Sequence, residues 1–230
     1  MQNDELLNTY LKSIGVELDG KKLADLLTYC DMVLEANRHF NLTAITDIDG
    51  FMIKHIADSL VGISEIPSGA YLLDIGAGAG FPSVPIAIAR EDVRVTALDS
   101  TAKKMAFVAE SAKSIGLDNL KTVVGRAEEQ TGLFRTFDVV TARAVSALPV
   151  LLELAVPMLK VGGRMLAYKT DESELSVAKN ALKILGAKHV GTKFAALPNG
   201  DSRAVLIFEK TAATPSQYPR RYGVIKSRPL

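Results

Sequence analysis

The sequence contains a single cysteine, Cys30, among 230 residues. One cysteine excludes an intramolecular disulfide framework, and it leaves no cysteine cluster to hold zinc or an iron–sulfur group. We therefore expect a protein of a reducing compartment, the cytoplasm, in which Cys30 is a buried and inert side chain. His55 shares a helical face with Asp58 and can pair with it there. With no second histidine near His55, we expect no metal site and a structural role for this histidine.

Long apolar runs are also missing. The first fifteen residues, MQNDELLNTYLKSIG, include two acids before the first lysine and have no apolar stretch of the length of a signal peptide or a membrane span. We expect no membrane partner. Aromatic residues make up 6% of the chain and tryptophan is absent, which argues against a broad base-stacking surface of the single-strand-binding kind.

The C-terminus has no acidic residue. The net charge of the whole chain is only +1, yet residues 210–230 contain five basic side chains and no acid. These are Lys210, Arg220, Arg221, Lys226 and Arg228. Such a segment is either a basic arm for phosphate or nucleic acid or a solvated terminus, and charge alone leaves both interpretations open.

Hydrophobic periodicity divides the chain into three parts: an N-terminal helical subdomain (1–66), an α/β domain (67–210) and a basic tail (211–230). In the middle part, short β-branched runs alternate with helical segments, which predicts a mostly parallel sheet of seven strands with helices on both faces. The predicted strands are 71–75, 93–98, 121–124, 137–141, 164–168, 187–194 and 203–209, the last two forming an edge hairpin around the turn at 198–200. The predicted helices begin near residue 3 and at 22, 51, 83, 102 and 146, with the sixth ending at Leu159, and a further one follows Asp171.

A glycine-rich loop follows the first predicted strand, in the stretch LLDIGAGAGFPSVP. Its glycines, Gly76, Gly78 and Gly80, have the spacing G-x-G-x-G, and Phe81 occupies the position where a dinucleotide-binding loop needs its third glycine. In an open parallel sheet, ligands bind beyond the carboxyl ends of the strands. With Asp74 leading the loop, the pattern predicts a ligand smaller than a dinucleotide, and we expect Asp74 and the three glycines, Gly80 included, to bind it.

Two further acids follow the next strands. Asp99 ends the second strand, where a carboxylate can accept hydrogen bonds from both ribose hydroxyls, and Glu128 follows the third strand, where an adenine edge could be read. Pro82 removes an amide donor that a pyrophosphate would need. These features together favour S-adenosylmethionine, with its adenosine, sulfonium and compact methionine portion.

Eight segments then carry a resemblance that extends from about residue 37 to the C-terminus. They are HFNLTAIT, KHIADSL, LLDIGAGAGFPSVPIAIA, ALDSTAKKMAFV, GRAEE, FDVVTARAV, LKVGGRMLAYK and YPRRYGVIKSRPL. The sequence resembles the bacterial ribosomal RNA small-subunit methyltransferase G family, also called GidB. The resemblance implies a Rossmann-like class I methyltransferase that moves a methyl group from S-adenosylmethionine to N7 of one guanine in 16S rRNA, within the small ribosomal subunit or an assembly intermediate.

The resemblance also implies the site residues. It places the cofactor against Gly76, Gly78, Phe81, Asp99, Ser100, Thr101, Ala127, Glu128 and Arg143. Two positions depart from the family pattern: Ser83 stands where glycine is expected after Phe-Pro, and Val224-Ile225 follow Gly223 where the tail pattern reads G-x-P.

The remaining candidates are basic or polar. Arg143 ends the fourth strand at the mouth of the site, where it either contacts the base, a phosphate or the cofactor, or forms a salt bridge to a loop acid. Because guanine N7 has a free lone pair, we expect Arg143 to position groups and expect no general base. For RNA we predict Asn41, Lys169, Arg220, Arg221, Lys226 and Arg228, and we expect a monomer.

Three other functions remain open from the sequence. The chain could methylate a small metabolite, with residues 1–66 as a substrate lid. It could be a non-catalytic assembly factor that binds S-adenosylmethionine and RNA. A dinucleotide oxidoreductase is disfavoured by Phe81 at the position of the third glycine.

Overall fold

The computed structural model describes residues 2–230 and shows a seven-stranded sheet with helices on both faces. The strands are β1 (Tyr71–Ile75), β2 (Arg94–Asp99), β3 (Leu120–Val124), β4 (Phe137–Arg143), β5 (Leu159–Lys169), β6 (Ala187–Ala196) and β7 (Ser202–Lys210). Their order in the sheet is β3-β2-β1-β4-β5-β7-β6. The first five run parallel and β7 is antiparallel to both neighbours, so the predicted α/β fold and edge hairpin are confirmed.

The helices lie before, between and after the strands. They are α1 (Gln2–Ser13), α2 (Gly20–Asn37), α3 (Ile48–Phe51), α4 (Asp58–Leu60), α5 (Ser83–Ala89), α6 (Ala102–Ile115), α7 (Leu148–Ala155), α8 (Lys179–Leu185) and α9 (Tyr222–Ser227). A π-helical segment, Met52–Ala57, joins α3 to α4, so that one continuous helix runs where the sequence predicts its third helix. Among the described residues, no helix is long and apolar enough to span a membrane.

The largest difference between a predicted and an observed helix boundary is at the end of α7. The sequence predicts a helix as far as Leu159, but α7 ends at Ala155, a short 3-10 turn follows, and Leu159 begins β5. The carbonyls of Pro157 and Met158 accept hydrogen bonds from Arg135 and Thr136. Because those carbonyls bond to another segment, and Pro157 has no N–H to donate, the helix cannot continue.

The core has two parts, one on each face of the sheet. On one face, α1, α2 and the Ile48–Leu60 helix share a single hydrophobic cluster with α5, α6 and strand residues such as Leu72 and Val95. On the other face, α7 and α8 pack with Ile225 of the tail. The N-terminal helices therefore have a core in common with the sheet, and this fixes them beside the carboxyl ends of β1 and β4.

Candidate active site

The three glycines of the loop after β1 differ in what a side chain at each position would meet. All three glycines have positive φ, +72° at Gly76, +57° at Gly78 and +81° at Gly80. A Cβ on Gly76 would lie 2.7 Å from Val145 Cγ2, and one on Gly80 would strike Tyr29 and Val84, whereas one on Gly78 would meet only a carbonyl at 3.9 Å. Gly76 and Gly80 are thus required by the protein's own packing, and Gly78 alone faces open space.

Asp74 lies beneath this loop. Its side chain has no exposed surface; one carboxylate oxygen accepts from the Ser83 backbone N–H at 3.1 Å and the other from the Thr141 hydroxyl at 3.0 Å. Burial raises the pKa of Asp74 to about 7. The sequence predicts that Asp74 contacts the cofactor; in the structure its carboxylate is fully buried and ties the loop to β4 and to the start of α5.

Asp99 shapes the loop from above. Its Oδ2 accepts from the Gly78 N–H at 3.0 Å and its Oδ1 from the Thr101 N–H at 2.8 Å. These bonds hold the carboxylate at the carboxyl end of β2, with lone pairs left on both oxygens. Thr101 therefore acts through its backbone, at the residue before α6.

A pocket of about 340 Å³, the first pocket, opens beside Asp99. Five predicted cofactor residues line it together: Gly76, Asp99, Ser100, Ala127 and Glu128. Its lining also includes residues not predicted from the sequence, namely Ile75, Leu98, Gly125, Arg126, Val145, Leu154 and Tyr222. Tyr222 belongs to α9, more than 90 residues along the chain from Arg126, and no local pattern indicates that it lies here.

A second pocket, of about 370 Å³, lies on the other side of the loop and shares Gly76 with the first. It is lined by Gly76, Ala77, Gly78, Ala79, Phe81, Arg143 and Ala144 of the sheet domain, and by Leu42, Thr43, His55 and Asp58 of the N-terminal helical part. Of the predicted residues, Gly78, Phe81 and Arg143 meet here. Gly80, also predicted to bind the cofactor, is buried and lines neither of these two pockets.

Arg143 is held by the Ile48–Leu60 helix. Its Nη1 donates to the Lys54 carbonyl at 2.7 Å and to Asp58 Oδ2 at 2.9 Å, and its Nη2 donates to His55 Nδ1 at 3.1 Å. Arg203 of β7 donates to the other oxygen of Asp58 at 2.9 Å. Arg143 therefore both lines the second pocket and forms a salt bridge, so that the two interpretations of this residue are compatible.

His55 and Asp58, which could pair on this helical face, instead each bond to the Arg143 guanidinium. The His55 ring instead stacks on Phe81, with centroids 4.6 Å apart and planes 10° from parallel. Burial, together with the charge of Arg143, lowers the pKa of His55 to about 3. His55 is a neutral imidazole over the whole working pH range.

The predicted RNA contacts differ in how free they are. Asn41 is exposed. Lys169, in contrast, donates to the Ser146 carbonyl at 3.0 Å and to Glu174 at 2.7 Å. Its side chain is only 16% exposed, so it is committed mainly to holding the turn before α7.

The basic tail is anchored to the domain. Arg220 donates from Nε and Nη2 to the fully buried carboxylate of Glu153, at 2.8 and 2.6 Å. Lys210, buried in β7, donates to the carbonyls of Val156 and Leu159. These two charges are therefore structural, whereas Arg221, Lys226 and Arg228 are exposed.

No group of three or more His, Cys, Asp or Glu side chains within residues 2–230 is arranged to hold a metal ion. The site consists of two pockets that share Gly76. The first pocket has acidic groups and apolar walls, and the second has aromatic, hydroxyl and guanidinium groups. The arrangement therefore offers two separate binding spaces that meet at Gly76.

Sequence comparisons with known proteins identify the family. Residues 22–204 match the family model described as GidB, rRNA small subunit methyltransferase G. Curated proteins named ribosomal RNA small subunit methyltransferase G, from Streptococcus thermophilus and Streptococcus pyogenes, are 42% identical over 228 residues and cover 96% of each chain.

Solved structures show the fold. TYW2 of M. jannaschii in complex with AdoMet aligns with a TM-score of 0.54 and 16% identity over 66% of this chain and 76% of that one. A precorrin-6y C5,15-methyltransferase from Geobacter metallireducens aligns with a TM-score of 0.50 and 16% identity over 67% and 87%. The fold is that of the class I methyltransferases, and the chain belongs to the rRNA small subunit methyltransferase G family.

Proposed function

We propose that this protein transfers the methyl group of S-adenosylmethionine to N7 of one guanine in the 16S rRNA of the small ribosomal subunit. The observation that carries the proposal is the pair of adjoining pockets that share Gly76, since such a pair brings a cofactor and a base to one point. The family membership supports rRNA as the substrate.

The first pocket fits the nucleoside half of the cofactor. The Asp99 carboxylate, already oriented by two backbone N–H groups, has lone pairs left for ribose hydroxyls, and Glu128, which lines the same pocket, would bind the adenine edge. Ile75, Leu98 and Leu154 offer apolar contact to a flat ring. The space above Gly78, which a Cβ would fill, leaves room for the methionine portion. Bound there, the cofactor supplies a methyl group activated by a sulfonium.

The second pocket suits an attack that needs no proton transfer. His55 is neutral and hydrogen-bonded, Asp58 is engaged by two arginines, and Asp74 is sealed beneath the loop. None of these is a free general base. Guanine N7 carries a lone pair and requires none, so the work of these residues is to exclude water and hold the base in line, where positioning alone can contribute ~7–11 kcal/mol.

Charge placement also suits a polyanion. The Asp58 carboxylate carries one negative charge and the two arginines bonded to it, Arg143 and Arg203, carry two positive charges. One net positive charge therefore remains beside the second pocket. Arg221, Lys226 and Arg228 extend positive charge along the exposed tail. Phosphates of a structured RNA would meet these side chains while one base enters the pocket. We further propose that the protein acts as a monomer in the cytoplasm, where small subunits assemble.

The test supplies tritiated S-adenosylmethionine and the purified protein to small subunits from cells that lack this enzyme, and maps the label by cleavage at N7-methylguanine. We expect label at one guanine. Asp99→Ala removes the carboxylate that would accept hydrogen bonds from the two ribose hydroxyls, and it should weaken cofactor binding by about 100-fold or more. Arg143→Ala should lower kcat/KM by about 10- to 100-fold. Asp118→Ala changes an exposed acid that lines neither pocket and is the matched control.

The outcomes separate the alternatives. Cofactor binding with no label on intact subunits or extracted rRNA would refute the proposal and favour a metabolite methyltransferase or an assembly factor. Label on a base or atom other than guanine N7 would keep the methyltransferase and refute the proposed target.

A further inference from the structure

Thr43 contributes a hydroxyl group to the second pocket, and its position is fixed by the end of α2. The Asn37 side chain accepts from the backbone N–H of Leu42 at 2.8 Å and of Thr43 at 3.0 Å, and it donates to the Thr43 carbonyl at 2.9 Å. These three bonds hold the loop against the helix. The Thr43 hydroxyl is therefore held in place at the rim of the pocket.

The hydrogen bonds around this hydroxyl have only one possible direction. A guanidinium can only donate, so His55 Nδ1 must accept from Arg143, and the hydrogen of the neutral ring is on Nε2. Nε2 then donates to Thr43 Oγ1, 2.6 Å away. The Ile45 backbone N–H donates to the same oxygen at 3.1 Å.

Both lone pairs of the Thr43 oxygen are therefore occupied, and its own hydrogen remains to be donated. Among residues 2–230, no side chain or carbonyl accepts from it. Since Thr43 lines the pocket together with Phe81 and Arg143, the acceptor must come from what enters the pocket. The hydroxyl can donate but cannot accept, and this property distinguishes it from an ordinary threonine.

We propose that the Thr43 hydroxyl donates a hydrogen bond to O6 of the target guanine and thereby selects guanine over adenine; this assignment rests on the proposed function. The atom next to N7 on the major-groove edge is a carbonyl oxygen in guanine and an amino group in adenine. A hydroxyl that cannot accept would face the hydrogens of that amino group, and a buried donor would have no partner.

The arrangement also suits the reaction. A donor on O6 holds the base while N7 keeps its lone pair for the methyl carbon. Positive charge develops on the purine as the bond forms, and a neutral hydroxyl beside it avoids the repulsion that a free cation at the same place would cause. His55 is a positioning residue in this scheme, because it acts through Thr43.

The experiment pairs a variant with a changed base. Small subunits are reconstituted with 16S rRNA ligated from two pieces, carrying at the mapped position either guanine or 2-aminopurine, which keeps N7 and lacks O6. With guanine, Thr43→Val should lower kcat/KM about tenfold, the worth of one hydrogen bond in a closed site. With 2-aminopurine it should change kcat/KM by less than about twofold, because the partner oxygen is already missing.

Controls separate this role from a structural one. Thr43→Ser keeps the hydroxyl and should retain most of the activity, and Thr46→Val changes an exposed threonine of the same loop and should have no effect. Cofactor affinity, measured by calorimetry, should be the same in all variants. An equal loss on both bases, or a weakened cofactor affinity in Thr43→Val, overturns the assignment; no label on guanine N7 with the unaltered protein refutes the proposed function itself.

Discussion

Asp74 and Asp99 show how much the surroundings of a single residue decide. Both are aspartates near the carboxyl ends of neighbouring strands, β1 and β2, and both bond to backbone N–H groups of the glycine loop region. Asp99 lines the first pocket, whereas Asp74 has no exposed surface and a pKa raised to about 7 by burial. One carboxylate is available to a ligand and the other is sealed into the fold.

At the same scale, Asp74 gives a prediction for stability. Between about pH 4 and pH 7, folded Asp74 keeps a proton that the unfolded chain has lost, so the free energy of unfolding falls as pH rises. Asp74→Asn imitates the protonated acid and removes this dependence. Urea titrations at a series of pH values should show the two proteins alike near pH 4, and the variant more stable by up to ~4 kcal/mol near pH 8. Parallel curves would contradict the assignment.

At the scale of elements, the C-terminal segment is anchored to the α/β domain and also presents basic side chains on its surface. Arg220 binds the buried Glu153 of α7, Ile225 is buried in the core, and Tyr222 reaches the first pocket. The Arg126 guanidinium lies 5.4 Å from the centre of the Tyr222 ring. The tail is therefore a wall of the cofactor site, and only its outward side chains are free for RNA.

This division predicts different effects for substitutions at two adjacent arginines. Arg220→Met leaves the Glu153 carboxylate buried without its cation, a loss we put at about 2–3 kcal/mol because Arg220 is partly exposed, or about 5–10 °C in Tm. Cofactor affinity should fall with it. Arg221→Met should leave Tm and cofactor affinity unchanged, raise KM for small subunits, and reduce the salt dependence of binding by about one counterion. Equal Tm changes in both variants would contradict this division.

At the scale of the whole molecule, the N-terminal helices and the sheet form one body. The Tyr29 hydroxyl donates to the Ala79 carbonyl of the glycine loop at 2.6 Å, and the Tyr168 hydroxyl donates to the Ser59 carbonyl at 2.8 Å. Asp58 joins the Ile48–Leu60 helix to β4 and β7. The second pocket exists only between these parts, so its geometry depends on their staying together.

We therefore expect the protein to unfold as a unit, although residues 1–66 and 67–210 differ in sequence pattern. Scanning calorimetry should show one transition, with equal calorimetric and van't Hoff enthalpies. S-adenosylmethionine should move that transition to higher temperature without splitting it. Two resolved transitions, with only one of them shifted by the cofactor, would show instead that the N-terminal helices are an independent lid.

Local pattern determined much of this protein. Short β-branched runs alternate with segments of helical spacing, and this alternation specifies the strands and the helices. The strands read as continuous apolar runs because a parallel sheet is buried on both faces. The position of the glycine loop after β1, and of Asp99 at the end of β2, follows from the same alternation. Five lining residues of the first pocket could be named on that basis together with the family resemblance: Gly76, Asp99, Ser100, Ala127 and Glu128.

Only the tertiary structure decided which charged and polar groups are free. Arg220 and Arg221 are neighbours of identical chemistry, and what separates them is a carboxylate 67 residues away. Thr43 becomes a donor because Arg143, in a distant strand, sets the proton on His55. Hydrophobic period is a property of a short segment, whereas desolvation and hydrogen-bond direction depend on whichever side chains packing brings together.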